Sequence, residues 1–159
     1  TSPGDVLTRV NRELVQGNEA SMFVTVFLGI LDLRSGMLHF ANGGHNDPFL
    51  IRQAEPVRPI KGPRGLLVGA MEEATYVTGE FLLLPGDRIY LYTDGVTEAT
   101  NAMQNLFCED RLRKCLELLT DSSIQEILDS LKMELDVFEQ GTPQSDDITM
   151  LVVQFNKHL

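Results

Sequence analysis

Arg88-Ile89-Tyr90-Leu91-Tyr92-Thr93-Asp94-Gly95 is the stretch on which the fold turns. Four of its first six residues, Ile89, Tyr90, Tyr92 and Thr93, are strong β-formers, and the run leads into Asp-Gly, a pair that ends strands. Pro85-Gly86-Asp87 just ahead reads as a tight turn, and Tyr76 to Leu84 reads as the strand before it, so a hairpin is expected here. Upstream, Met22 to Leu33 is a second β-rich run, interrupted by Ser35-Gly36 and answered by Leu38, Phe40 and Ala41. That is another hairpin. Phe49-Leu50-Ile51 is a short strand after a breaker-rich loop, Asn42 to Pro48. Three segments read as helices. The first, about residues 3–16, opens with Ser2-Pro3-Gly4-Asp5 and repeats Val6, Leu7, Val10 and Leu14 as an apolar face. The others cover about 108–119 and 123–139, the latter started by Ser123 with Glu126 three residues on as a capping box. Ile148 to Phe155 closes the chain as a strand with apolar residues on both faces. Hairpins punctuated by blocks of helix predict an α+β domain with antiparallel sheet, not a doubly wound one.

The 159 residues suit one domain spanning 1–159, and 43% apolar with 23% charged residues is an ordinary globular composition. Thirteen basic against 23 acidic side chains leave a net charge of −10, which opposes binding to the phosphate backbone of nucleic acid. Half of that excess lies in residues 101–140, where nine acids face four bases, and it reads as a solvated helix face. Arg52, Arg58, Lys61 and Arg64 against Glu55 make one basic island, within a stretch, 52–74, that reads as a long surface connection. It could dock an acidic partner or phosphate, or be solvated loop. Cys108 and Cys115 lie seven apart on one helix and read as free thiols. No run approaches 18 uncharged apolar residues and no signal peptide opens the chain, so a cytoplasmic protein without membrane insertion is expected. Neither Gly-x-Gly-x-x-Gly nor a P-loop occurs.

Chemistry is concentrated in carboxylates at strand ends. Asp94 ends one strand, and Gly95 after it lets the backbone turn and approach a ligand closely. Asp146 and Asp147 begin another. If those strands are neighbours, the carboxylates converge at one sheet edge as the all-oxygen environment that suits Mg²⁺ or Mn²⁺. Asp94-Gly95 as a plain turn and Asp146-Asp147 as a loop is the competing reading. A nucleophilic triad has little support, because His39, His45 and His158 are scattered and no Gly-x-Ser-x-Gly elbow exists.

Five pieces occur in order: Met22-Phe23-Val24-Thr25, Ala41-Asn42-Gly43-Gly44-His45-Asn46-Asp47-Pro48, Leu84-Pro85-Gly86-Asp87, Tyr92-Thr93-Asp94-Gly95-Val96-Thr97-Glu98-Ala99 and Asp146-Asp147-Ile148-Thr149. Together they resemble the bacterial PPM (PP2C-like) serine phosphatases of the SpoIIE/RsbU type, over about Ser2 to Phe155. The resemblance implies an antiparallel β-sandwich flanked by helices (αββα) and metal-dependent hydrolysis of phosphoserine or phosphothreonine on a regulatory protein, typically a small anti-anti-sigma protein of the STAS type. It implies two Mn²⁺ or Mg²⁺ ions in the intact domain and a metal-activated water, with no protein nucleophile as catalytic residue. Metal positions would be Asp94, Gly95 and Asp146, with Asp147 where relatives outside this branch often carry Asn, and Glu98 where some relatives help hold an additional ion. His45 and Asn46 belong to the loop that could touch substrate, or that could be held by internal hydrogen bonds.

Members of that family carry, ahead of the point where this chain begins, a Gly-Asp-x-x-Asp-like and an Asp-Val-x-Gly-Lys-Gly-like segment. Neither occurs here. The chain therefore reads as the C-terminal two-thirds of a phosphatase domain, truncated at its N-terminus, with Ser2–Gln16 as the family's second helix, and is expected to be inactive by itself. An N-terminal sensor or receiver domain is expected in the parent chain. A homodimer is expected from sheet edges left unpaired. The rival reading is a catalytically inactive phosphatase-fold interaction module.

Overall fold

The computed structural model describes residues 1–144 and 146–156. In order they form α1 (Pro3–Val15), β1 (Val26–Leu31), β2 (Met37–Gly43), β3 (Phe49–Ile51), β4 (Arg58–Pro59), β5 (Arg64–Gly65), β6 (Gly79–Leu82), β7 (Arg88–Tyr92), α2 (Asp94–Thr97), α3 (Cys108–Leu118), α4 (Ile124–Glu139) and β8 (Met150–Gln154). They gather into two compact units, one from Thr1–Asp47 and Lys61–Pro85, the other from Pro48–Ile60 and Gly86–Asn156.

In the first unit α1 starts where its cap requires. The Ser2 hydroxyl accepts the Asp5 N–H at 3.2 Å and the Asp5 carboxylate accepts the Ser2 N–H at 3.1 Å, a reciprocal box that satisfies two otherwise orphaned donors. Its inward row is not the expected one. Pro3, Gly4, Leu7 and Asn11 are buried, whereas Val10 and Leu14 are 38% and 46% exposed. Asn11 goes inward because its amide is fully used, donating to Met71 O at 2.8 Å and accepting from Gly69 N at 2.8 Å.

The β1–β2 hairpin forms as expected, from Val26↔Gly43 to Leu31↔Leu38. Its first strand is shorter than Met22 to Leu33, and only an isolated bridge, Val24↔Val68, precedes it. β2 is the hub of this sheet. It also pairs antiparallel with β6 and, over Asn42↔Arg64 and Gly43↔Gly65, parallel with β5, so the sheet is not purely antiparallel. Leu7, Ala41, Val68, Ala74 and Tyr76 form a core with Val26 and Leu28 against it.

The second unit holds the sheet β4-β3-β7-β8, antiparallel throughout. Its core joins Phe49, Ile51, Tyr90, Tyr92 and Val152 to Leu112 and Leu116 of α3 and Ile127, Leu131, Leu135 and Phe138 of α4. Full burial of such side chains contributes about 1.5–3 kcal/mol each. The second expected hairpin does not exist. β6 pairs with β2, whereas β7 pairs with β3 and β8. The Pro85-Gly86-Asp87 turn is instead tied to the far end of the chain, with Gly86 N–H donating to Phe155 O at 2.8 Å and Phe155 N–H to Asp87 O at 2.9 Å. Nor is 52–74 a surface connection. It contributes β4 and β5 and buries Val57, Ile60 and Val68 to 2% exposure or less. The last strand carries apolar residues on both faces, as expected: Val152 is buried, while Leu151 and Val153 on the other face are exposed.

Two arginines fix the start of β7. Arg52 meets the buried Asp87 carboxylate as a fork, Nε to Oδ1 at 2.8 Å and Nη2 to Oδ2 at 2.6 Å, and this bonding raises the guanidinium pKa further. The Arg88 guanidinium donates to the carbonyls of Thr120 and Ser122, holding the α3–α4 connection.

Candidate functional site

The strands next to the candidate carboxylates are neighbours. β7 and β8 run antiparallel to Tyr92↔Met150, so Thr93-Asp94 and Asp147-Ile148-Thr149 leave the sheet side by side. Thr93 joins them three times. Its N–H donates to Thr149 O at 3.1 Å, its hydroxyl donates to Asp147 O at 2.9 Å, and the same hydroxyl accepts from Thr149 N–H at 2.9 Å. Thr93 is also the N-cap residue of α2, yet its side chain makes no cap bond, because both hydrogen-bonding functions of the hydroxyl are spent across the strands.

Asp94 does not simply end a strand; it opens the short helix α2. Its carbonyl accepts from Glu98 N–H at 2.8 Å, and its carboxylate accepts from Gly95 N–H at 3.1 Å. Asp146 repeats the motif, one oxygen accepting from Asp147 N–H at 2.7 Å. Asp94, Glu98, Asp146 and Asp147 are all exposed. Gly95 is buried, and a turn is not the local reason for a glycine there. Its φ lies outside the left-handed region, so no unusual turn calls for glycine. A Cβ there would sit 2.6 Å from Asp147 O and 3.3 Å from Asp146 O, so glycine is needed because the Asp146-Asp147 backbone packs directly onto it.

The other candidates lie in the first unit. His45 N–H donates to the Asn42 side-chain oxygen at 2.8 Å, and the Asn42 amide donates to His45 O at 2.9 Å and to the Asp47 carboxylate at 3.1 Å. The His45 ring Nδ1 lies 3.0 Å from the Thr25 hydroxyl, and Arg64 donates to His45 O at 3.0 Å. Asn46 is half-buried in the same loop. Asn42, only 3% exposed, organises it and was not singled out from the sequence; an Asn directly before Gly-Gly is the signal that could have found it. Thr93 was likewise missed, since its partners are more than 50 residues away. His158 lies outside the described residues. The basic island is partly consumed, with Arg52 held by Asp87 and by Glu55 at 3.6 Å and Arg64 by the His45 carbonyl.

Hard carboxylate and carbonyl oxygens are the donors that Mg²⁺ and Mn²⁺ prefer, so the chemistry of Asp94 and Asp146-Asp147 fits a divalent cation. Their number supplies only part of a coordination shell: among the described residues no three His, Cys, Asp or Glu side chains converge.

A family model described as stage II sporulation protein E (SpoIIE) matches residues 1–156. Protein IcfG of Synechocystis sp. is 36% identical over 140 residues, 87% of this chain and 22% of that protein. Phosphoserine phosphatase RsbU of Bacillus subtilis is 32% identical over 153 residues, 96% of this chain and 45% of that protein. The chain thus spans less than half the length of these curated relatives. Among solved structures, the SiaA-PP2C domain of Pseudomonas aeruginosa superposes with a TM-score of 0.81 at 23% identity, covering 98% of this chain and 61% of that one. The phosphatase domain of the cell fate determinant SpoIIE from Bacillus subtilis, Mn presoaked, gives 0.66 at 18% identity, covering 96% and 74%. The α+β fold is therefore that of PP2C phosphatase domains.

Proposed function

Because the chain belongs to the stage II sporulation protein E (SpoIIE) family, we propose that it is the C-terminal two-thirds of a single phosphatase domain that hydrolyses phosphoserine or phosphothreonine on a regulatory protein. The observation that carries this reading is the junction of β7 and β8, where Asp94 and Asp146 leave adjacent strands and Gly95 packs on the Asp146-Asp147 backbone. Two divalent ions, Mn²⁺ or Mg²⁺, would supply positive charge that acidifies water and offsets phosphate charge. Asp94 and Asp146 would hold that charge in place, with Asp147, Gly95 and Glu98 as lesser candidates, and the remaining donors would come from sequence upstream in the parent protein. His45 and Asn46 would border the substrate. The substrate class is a small anti-anti-sigma-like protein in the cytoplasm, and an upstream sensor or receiver domain would set the activity. No helix among the described residues is long and apolar enough to cross a membrane.

The absence of a three-carboxylate cluster among the described residues supports a second reading, an inactive phosphatase fold kept as an interaction module. The full-length Asp94→Asn protein, assayed on a phosphoserine protein with excess Mn²⁺, separates the two. Loss of a charged ligand should cut turnover more than tenfold, whereas activity within about twofold of wild type, under ~0.4 kcal/mol of barrier, removes Asp94 from the metal site. A wild-type protein without turnover supports the module.

A further inference from the structure

We infer that Thr93 is a positioning residue for the metal site: its hydroxyl sets where the Asp146-Asp147 segment stands relative to Asp94. This rests on the reading of Asp94 and Asp146 as metal ligands. A threonine at a helix N-cap ordinarily turns its hydroxyl toward the N–H groups of the helix it opens. Here the hydroxyl points the other way. It donates to Asp147 O and accepts from Thr149 N–H, each at 2.9 Å, while the backbone N–H of the same residue takes Thr149 O at 3.1 Å.

The regular β7–β8 ladder ends at Tyr92↔Met150, so beyond it no strand pairing holds the two segments together. Thr93 takes over that task. On the far side of Asp94, Gly95 lies against the Asp147 carbonyl with no room for a Cβ. Asp94 thus sits between a hydrogen-bonded clamp and a van der Waals stop, both acting on Asp147. Two exposed carboxylates on separate segments bind an ion well only if their separation is fixed beforehand, since otherwise the ordering cost is charged to binding. Serine offers the same donor and acceptor as threonine; valine offers the same shape and neither.

The test measures Mn²⁺ binding directly, by calorimetric titration of the full-length protein, together with melting in the absence of metal. Thr93→Val should weaken Mn²⁺ binding at least tenfold, and Thr93→Ser should stay within threefold of wild type. Val57→Ala, a destabilising change between β3 and β4, should lower the metal-free melting temperature and leave Mn²⁺ affinity unchanged. Binding by Thr93→Val within twofold of wild type overturns the inference. So does a Val57→Ala variant that loses as much affinity as Thr93→Val, since the effect would then be general loosening. Should Thr93→Val not fold, Thr93→Ser decides alone, because a tenfold loss with the hydroxyl retained contradicts the clamp. Asp94→Asn keeps the premise separate: if it binds Mn²⁺ as wild type does, the ligand assignment falls and the clamp with it, whereas a loss there with none in Thr93→Val sinks only the role of Thr93.

Discussion

Tyr90 carries an oxygen into the middle of an apolar core. The residue is 0% exposed, stacked on Tyr92 at 5.6 Å between ring centroids, and among the described residues its hydroxyl has no hydrogen-bond partner. Burial, with smaller contributions from Tyr92 and Cys115, pushes this phenol far above its ordinary pKa. In the unfolded chain it ionises near pH 10, while in the folded chain it stays neutral. The stabilisation is therefore fully present below about pH 10 and declines as pH rises beyond it, by up to ~1.4 kcal/mol per pH unit. Tyr90→Phe should flatten part of that alkaline loss and change stability at pH 8 by no more than about 1 kcal/mol, since no bond is broken. Urea unfolding at pH 8 and pH 10.5 checks both; an alkaline slope equal to wild type would show that the phenol is not the titrating group. That Asp94 and Asp146 stand close to the ends of two strands was legible in the sequence, because an Asp beside a β-rich run is a local pattern. The purpose of Gly95 was not, because the atoms that exclude a side chain belong to Asp146 and Asp147, some 50 residues away.

Among the elements, the helices were the most readable, and the reason is physical. A helix start depends on three or four consecutive residues. Ser123 accepts from Glu126 N–H at 3.3 Å and the Glu126 carboxylate accepts from Ser123 N–H at 2.7 Å, a box that also holds the Glu126 pKa below its usual value. Ser123→Ala should cost about 1 kcal/mol of stability, read from the denaturation midpoint at constant slope, and Ser123→Asp should restore most of it. If alanine were neutral, the box would be ornamental. The β1–β2 hairpin was readable for the same reason, since Gly36 supplies the left-handed turn next to the pairing it enforces. Strand partnership elsewhere was not local. Pro85-Gly86-Asp87 has the composition of a hairpin turn, but Asp87 is held by Arg52 and Phe155, so the strands on either side go to different sheets. Two-residue strands such as β4 and β5 are too short to carry a period at all.

For the molecule as a whole, the α+β class followed from the order of strands and helices, while the division into two interleaved units did not. The second unit takes Pro48–Ile60 from one part of the chain and Gly86–Asn156 from another. A fragment of residues 86–156 keeps α3, α4, β7 and β8 but loses β3, whose Phe49, Leu50 and Ile51 are 0–1% exposed, and with it one of the two partners of β7. Such a fragment should lack cooperative unfolding and well-dispersed amide resonances, and a peptide of residues 48–60 added in excess should recover part of both. A fragment that folded by itself would mean that β3 contributes little.

That interleaving also sets an order of events during synthesis. The strands of the first sheet, β1, β2, β5 and β6, are all made by Leu82, so that sheet can close early. β3 and β4 emerge among them with their apolar side chains uncovered, and β7, their route to β8, comes only after β6. Until Tyr90 has left the ribosome, β3 can pair only with the two residues of β4, and the sheet is complete only once Gln154 has followed.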